Sequence, residues 1–287
     1  MTVLLVDIGN TRIKWAGCDG GRLLKSHAAV HSAWRAADYA RRLFAGARGL
    51  DEVLVASVAA TQVNRALAAA ARRAGVRCRF VTVPRRAGGV TVGYREPWRL
   101  GVDRFAALVG AHELFKPVPV CVVGVGTAMT IDLAGGDGRH QGGVIIPAPG
   151  LMIDALLANT HGIRRRARGG ALGGRGLFGR STQDAIVQGS RYTAAALIDR
   201  AVEEAAVLLG RRPLVVLTGG EAPAVRGLVR SHCVTVPGLV LRGLAVMARA
   251  EIPARIRPCA TPSSRSRSRT SCTSPGLTGW TRPRCRR

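Results

Sequence analysis

The amino-acid sequence predicts an α/β protein of two similar half-domains, each a mixed β-sheet flanked by helices, with a site in the cleft between them. Three observations carry this. Two glycine turns recur between short apolar runs, LLVDIGNTRIKWA at 4–16 and VCVVGVGTAMTIDL at 120–133. Each reads as strand, tight turn, strand, and such a turn points consecutive backbone N–H groups into one concavity suited to an anion. Helical stretches and strand-like runs follow each turn, the order of a mixed sheet covered by helices. Between the turns lies GVDR at 101–104, an acid beside a cation. Phosphates gripped from two sides with a carboxylate nearby outline a phosphotransferase.

The elements follow in order. Apolar and β-branched recurrence predicts strands at 3–8, 12–17 and 22–29, with Cys18-Asp19-Gly20-Gly21 as hairpin punctuation. A helix near 33–46, a strand at 52–57, a helix at 61–74 and a strand at 78–83 come next, with Thr61 as a candidate N-cap and Gly75 as a stop. Residues 84–103, broken by Pro84, Gly88, Gly89, Gly93 and Pro97, form a long loop of the kind that carries function. A helix at 104–115 leads to Lys116-Pro117, the expected boundary between half-domains 1–116 and 117–250. The second half repeats strand-turn-strand at 119–133 and adds a strand at 141–147 and a helix at 151–159. A mobile Gly/Arg-rich loop at 162–180, a long helix at 182–209, a strand at 213–218 and helices near 221–229 and 238–250 complete it. Residues 251–287 lack apolar periodicity and read as a disordered Arg/Ser-rich tail or a shifted reading frame, with no function assigned.

Composition narrows the function classes. A chain of 287 residues can bury a sizeable core and hold two domains. No apolar run reaches the roughly 18 residues of a membrane helix. The first residues enter a strand with no charged n-region or cleavage pattern, so neither membrane nor signal peptide is expected. Seven cysteines without a Cys-x-x-Cys suit a reduced, cytoplasmic protein lacking a metal cluster. The formal charge of +26 raises the question of nucleic acid. Two facts argue against it. Only Lys14, Lys25 and Lys116 stand against 40 arginines, a bias that GC-rich coding produces by itself. The last 37 residues alone carry nine arginines and one glutamate.

Five motifs then stand in order: DIGNTRIKWA, GYREPWRLGVDR, VGTAMTIDL with GGVIIP, RSTQDAIVQG and LTGG. With these, residues 1–250 resemble the type III pantothenate kinases of the actin/sugar-kinase/Hsp70-like ATPase superfamily. The D-x-G core alone is shared by many sugar kinases and actins; five ordered motifs are specific. The resemblance implies ribonuclease H-like/actin-like half-domains. It also implies ATP-dependent phosphorylation of pantothenate to 4'-phosphopantothenate, the first step of coenzyme A synthesis. Mg²⁺ would accompany ATP, and a homodimer would complete the substrate pocket.

The residues then take roles. Asp7, at the end of the first strand, can hold Mg²⁺ against the β- and γ-phosphates, directly or through water, although an Asp also caps such turns. Gly9 permits close approach, and Asn10 and Thr11 offer donors. Lys14 reaches the same turn or is a solvated strand charge. ATP and its phosphates are thus assigned to Asp7, Ile8, Gly9, Asn10, Thr11, Arg12, Ile13 and Lys14, and to Thr127 of the second turn. Asp103 is the candidate general base, kept ionised by Arg104; it also suits a helix N-cap. By resemblance Tyr94, Gly101, Val102, Asp103, Arg104 and Thr182 bind pantothenate, with loop packing and helix capping as the plain readings of Tyr94 and Thr182. Many family members carry an Asp three residues before the threonine matched by Thr127, where it helps hold K⁺ or NH₄⁺. Gly124 stands there, so either the K⁺ or NH₄⁺ requirement is lost or other ligands hold the cation. Asp132 reads as strand-end support, Gly219 and Gly220 as a turn open to adenine or a plain strand-to-helix turn, and His161 as incidental. Two other functions fit the same fold. One is a kinase for another small hydroxylated substrate. The other is a non-catalytic regulatory or nucleic-acid-associated protein, for which Asp103 would be dispensable.

Overall fold

Two five-stranded sheets of identical topology sandwich a pair of helices in the computed structural model, which describes residues 2–46, 49–167 and 176–250. The first sheet comprises β1 (Thr2–Ile8), β2 (Arg12–Asp19), β3 (Arg22–Val30), β4 (Leu50–Ser57) and β5 (Arg77–Phe80), in spatial order β3-β2-β1-β4-β5. The antiparallel hairpins β1–β2 and β2–β3 are followed by parallel β4 and β5. The second sheet repeats this with β8 (Val120–Val125), β9 (Ala128–Ala134), β10 (His140–Pro147), β11 (Leu214–Thr218) and β12 (Cys233–Thr235), in order β10-β9-β8-β11-β12. The sheets are those of the actin-like ATPase fold.

Each sheet is apolar on both faces, so both must be covered. Leu4, Val6, Ile8 and Ile13 of the first sheet bury against α1 (Ala36–Leu43) and α2 (Thr61–Arg73). The alternate residues Val3 and Leu5 turn inward onto α3 (Val102–Phe115) and α8 (Leu239–Ala250). These two helices also cover Val120, Val122 and Val216 of the second sheet. That sheet's far face packs Cys121, Val123 and Val215 against α6 (Thr182–Leu209) and α7 (Ala222–Arg226). Glycine lets α3 and α8 touch backbone to backbone. A Cβ on Gly243 would lie 1.8 Å from the Ala106 carbonyl oxygen, and one on Gly110 would lie 2.6 Å from that of Leu239. Burial from both sides explains why α3 has no polar face: Val102 and every residue from Arg104 to His112 are buried.

Most expected elements form, with instructive exceptions. The Gly/Arg-rich stretch expected as a loop from 162 begins as helix α5 (His161–Ala167), because its arginines are good helix formers; residues 168–175 lie outside the described residues. β12 was not anticipated, since three residues are too few to show a period. The long loop at 84–103 carries a small hairpin, β6 (Arg86–Ala87) with β7 (Val90–Thr91), and a 3-10 turn at Pro97–Arg99. Helix α4 (Pro149–Asn159) starts earlier than expected, at its proline, which is pre-organised for a first helical position. Thr61 is the first residue of α2 rather than its cap, which is Ala60, whereas Gly75 stops the helix at φ +70° as expected. The tail expected at 251–287 lies outside the described residues.

Candidate active site

Both glycine turns project from the ends of the central strands β1 and β8, and the fold brings their tips together. Thr11 Oγ1 lies 3.3 Å from Thr127 Oγ1. Each turn is closed by its glycine amide, Gly9 N–H donating to the Arg12 carbonyl and Gly126 N–H to that of Ala128, both at 3.0 Å. Asn10, Thr11, Gly126 and Thr127 are exposed, so their polar groups face open space. Ile8 and Ile13 are fully buried, which leaves only their backbone to a ligand.

Asp7 occupies the penultimate position of β1, directly across from Lys14 on β2. It is buried, and desolvation lifts its carboxyl to about 6 despite the opposing pull of Lys14; the charge of Asp103 adds to the rise. Asp7 and Asp103 are therefore electrostatic neighbours, although they come from the first strand and from α3. The carboxyl of Asp103 is raised as well, by desolvation first, against the lowering influence of the Arg104 amide, its own amide and the Arg104 charge. Asp103 sits inside the first turn of α3, whose N-cap is Gly101, so the capping alternative for Asp103 does not hold.

The Arg104 charge favours the ionised form of Asp103 as expected, but its hydrogen-bonded partner lies elsewhere. It makes a two-pronged ion pair with Asp132 on β9, Nε to Oδ2 at 2.8 Å and Nη2 to Oδ1 at 2.6 Å. Both residues are buried. The Asp132 oxygen also accepts from His140 Nε2 at 3.2 Å, and the Tyr94 hydroxyl lies 3.4 Å from Arg104 Nη2. Tyr94 lies over the His140 ring with centroids 5.5 Å apart. Gly143 of the GGVIIP motif makes room for this cluster, since a Cβ there would lie 2.3 Å from Asp132 Oδ1 and 2.6 Å from Arg104 Nη2. Asp132 and His140 thus join the candidate site; the only hint in sequence was the acid of the VGTAMTIDL motif, expected at a strand end but found inside β9.

The loop bearing Tyr94 is held by a residue that sequence reasoning passed over. The guanidinium of Arg85 donates to the carbonyls of Tyr94 and Arg95 at 2.7 Å each and to that of Val92 at 3.4 Å. On the opposite side, Gly219 at φ +104° lies against β8, where a Cβ would meet the Val125 carbonyl oxygen at 2.1 Å. Gly220 meets nothing within 4 Å, so the turn is tight at one glycine and open at the next. Glu221 donates its amide to Val125 and accepts from the Gly150 amide at 3.2 Å, joining this turn to α4. Thr182 is the first residue of α6, behind the true cap Ser181. Among the described residues no hydrogen bond joins Thr182 to the Asp7–Asp103 cluster. His161 is the first residue of α5.

Asp7 suits a hydrated divalent cation: it is a buried carboxylate whose charge burial disfavours, at the mouth of a phosphate-sized turn. No cluster of three or more His, Cys, Asp or Glu exists among the described residues, so any such ion would be shared with the ligand's phosphates. The position equivalent to Asp7 in the second sheet is Gly124, penultimate in β8. A Cβ there would lie 3.1 Å from Thr130 Oγ1, so neither a carboxylate nor ready room for one is present. The residues do not fit a monovalent cation held from that position.

A model of the type III pantothenate kinase family matches residues 3–204. A type III pantothenate kinase of Azoarcus sp. (strain BH72) is 38% identical over 257 residues, covering 87% of this chain and 91% of that one. That of Nitrosococcus oceani is 33% identical over 252 residues, covering 86% and 94%. Among solved structures, a Campylobacter jejuni chain described as a Baf family transcriptional activator superposes with TM-score 0.54 at 17% identity, covering 86% of this chain and 98% of that one. The activator of the 2-hydroxyisocaproyl-CoA dehydratase from Clostridium difficile superposes with TM-score 0.51 at 12% identity, covering 87% and 94%. These two likenesses carry the fold alone. The chain belongs to the type III pantothenate kinase family.

Proposed function

We propose that this phosphotransferase carries the γ-phosphoryl group of ATP to the primary hydroxyl of pantothenate, yielding 4'-phosphopantothenate for coenzyme A synthesis in the cytoplasm, with Asp103 as general base. The observation that carries the residue assignment is the convergence of both glycine turns, through Thr11 and Thr127, beside the electrostatically coupled Asp7 and Asp103. The two turns take the phosphates through backbone amides and the threonine hydroxyls. Lys14 offsets their charge. Mg²⁺ held at Asp7, directly or through water, would neutralise the β- and γ-oxygens.

Asp103 accepts the acceptor hydroxyl's proton as that oxygen bonds to the γ-phosphorus and the bond to ADP breaks. Its carboxyl, raised by burial, makes it a better base than a solvated aspartate. The first amides of α3, beginning at Val102, stabilise the anionic side chain at the helix N-terminus. Arg104, fixed by Asp132, and Tyr94, fixed by Arg85, shape the acceptor side. Half-domains 1–116 and 117–250 supply one turn each. Thr182 serves a pocket completed across a homodimer, for which the exposed apolar residues Val144 and Ile145 of edge strand β10 and Leu151 of α4 offer a surface.

The test is ADP release coupled to ATP, Mg²⁺ and pantothenate, with and without added potassium or ammonium. Release that depends on pantothenate and falls at least a hundredfold in Asp103→Asn supports the reaction and its base. With Gly124 in place, turnover is expected without the added cation. Folded protein with no turnover in any condition would return the regulatory reading, and turnover with another alcohol alone would return the other kinase.

A further inference from the structure

We propose that His31 is a positioning residue for ATP, acting through the peptide unit between Gly9 and Asn10; this rests on the reading of the first glycine turn as a phosphate site. His31 follows β3, is 2% exposed, and lies behind the turn rather than in it. Its Nε2 is 2.8 Å from the Gly9 carbonyl oxygen. A carbonyl can only accept, so Nε2 carries the proton and donates. In the neutral ring Nδ1 is then the acceptor, and it lies 3.1 Å from the hydroxyl of Tyr39, which donates to it. Tyr39 is fully buried, and Trp34 packs edge-on against both rings, 6.4 Å from His31 and 5.1 Å from Tyr39. The His31 backbone N–H also donates to the Thr11 carbonyl at 3.2 Å. One residue thus holds two carbonyls of the same turn from the side away from solvent.

The consequence follows from peptide geometry. In a trans peptide the C=O and the next N–H point in opposite directions, and the bond between Gly9 and Asn10 is trans. Drawing the Gly9 oxygen toward His31 therefore aims the Asn10 amide outward, on the exposed side shared with Thr11 and Thr127. That amide has no acceptor among the described residues, which leaves it for a ligand oxygen. Without the histidine, the glycine-flanked peptide could rotate and present its carbonyl to the phosphates, replacing attraction by repulsion. Gly9 does not take a left-handed φ, so the direction in which this peptide faces rests on the His31 hydrogen bond rather than on a conformation reserved to glycine.

The experiment compares His31→Leu, which removes the donor, with His31→Gln, whose amide N–H can reach the place of Nε2. Calorimetric titration with ATP and Mg²⁺ alone, and steady-state KM values for both substrates, are measured alongside thermal melting. Expected are ATP affinity about tenfold weaker in His31→Leu, pantothenate KM within twofold of wild type, and recovery to within about threefold in His31→Gln. Native ATP affinity in folded His31→Leu overturns the proposal alone. So does an equal loss for both substrates that His31→Gln fails to restore, which would mark a merely structural residue. Wild-type enzyme that binds no ATP sinks the phosphate reading of the turn instead.

Discussion

Thr11 Oγ1 and Thr127 Oγ1 stand 3.3 Å apart although 116 positions separate them in the chain. Each crowns the same turn of the same five-stranded topology, so the contact marks where two repeats of one architecture meet. Two hydroxyls this close can serve adjacent oxygens of one polyphosphate. Thr11→Val and Thr127→Val are each expected to weaken kcat/KM for ATP by about 10–100-fold, the value of a hydrogen bond to a charged group. The double variant should lose less than the product, because both hydroxyls act on one ligand. A double-mutant cycle on ATP kinetics measures this coupling; strict additivity would mean that the two turns do not share a ligand.

Asp7 yields a pH prediction with a definite sign. Its folded carboxyl, about 6, lies above the ordinary 3.8, so the folded state holds the proton more tightly. Stability from this residue is fully present below the unfolded value, declines between about 3.8 and 6, and is lost above. At pH 7.5 without nucleotide, Asp7→Asn should therefore melt higher than wild type, by up to about 3 kcal/mol in unfolding free energy. Near pH 3.5 the two should converge. The same variant should be nearly inactive. In wild type, kcat/KM should fall as pH drops through about 6, as Asp7 takes up its proton.

The buried pair Arg104–Asp132 is expected to matter to both folding and acceptor binding. Asp132→Asn leaves the buried guanidinium without its counter-charge, at a cost of about 3–5 kcal/mol. Gly143→Ala attacks the same pair sterically, through a Cβ placed 2.3 Å from Asp132 Oδ1. Both variants should raise the KM for pantothenate more than that for ATP, which denaturant unfolding beside two-substrate kinetics will check. Unchanged pantothenate KM in a folded variant would remove Arg104 from the acceptor side.

Arg85 holds the Tyr94 loop by three carbonyls. Arg85→Lys keeps the charge but cannot reproduce the fork, so the loop should loosen. We expect pantothenate KM to rise about 5–50-fold with ATP affinity unchanged, and faster proteolysis within residues 84–100. Equal changes for both substrates would point to global damage.

Most of this architecture was legible because its signals are local. A continuous apolar run marks β1, a glycine pair marks the hairpin at Gly20 and Gly21, and Thr61 at the start and a glycine stop at the end bracket α2. The five motifs marked Asp7, Asp103 and Thr127 in the same way. Composition misled where chemistry and conformation diverge: the arginines of α5 looked like a loop, and β12 was too short to show a pattern.

Fold class and the two glycine turns were determined by the sequence alone, since turn chemistry and strand period act over a few residues; the ordered motifs named Asp7, Asp103 and Thr127 only as candidates. The partners of those groups were decided only in three dimensions. Arg104 sits next to Asp103 in the chain yet pairs with Asp132, because α3 is buried between two sheets and turns that guanidinium toward β9. His31 reaches Gly9 across 22 positions because β3 returns beside the turn. Burial, which depends on every layer at once, raises the carboxyls of Asp7 and Asp103; no local pattern of residues encodes it.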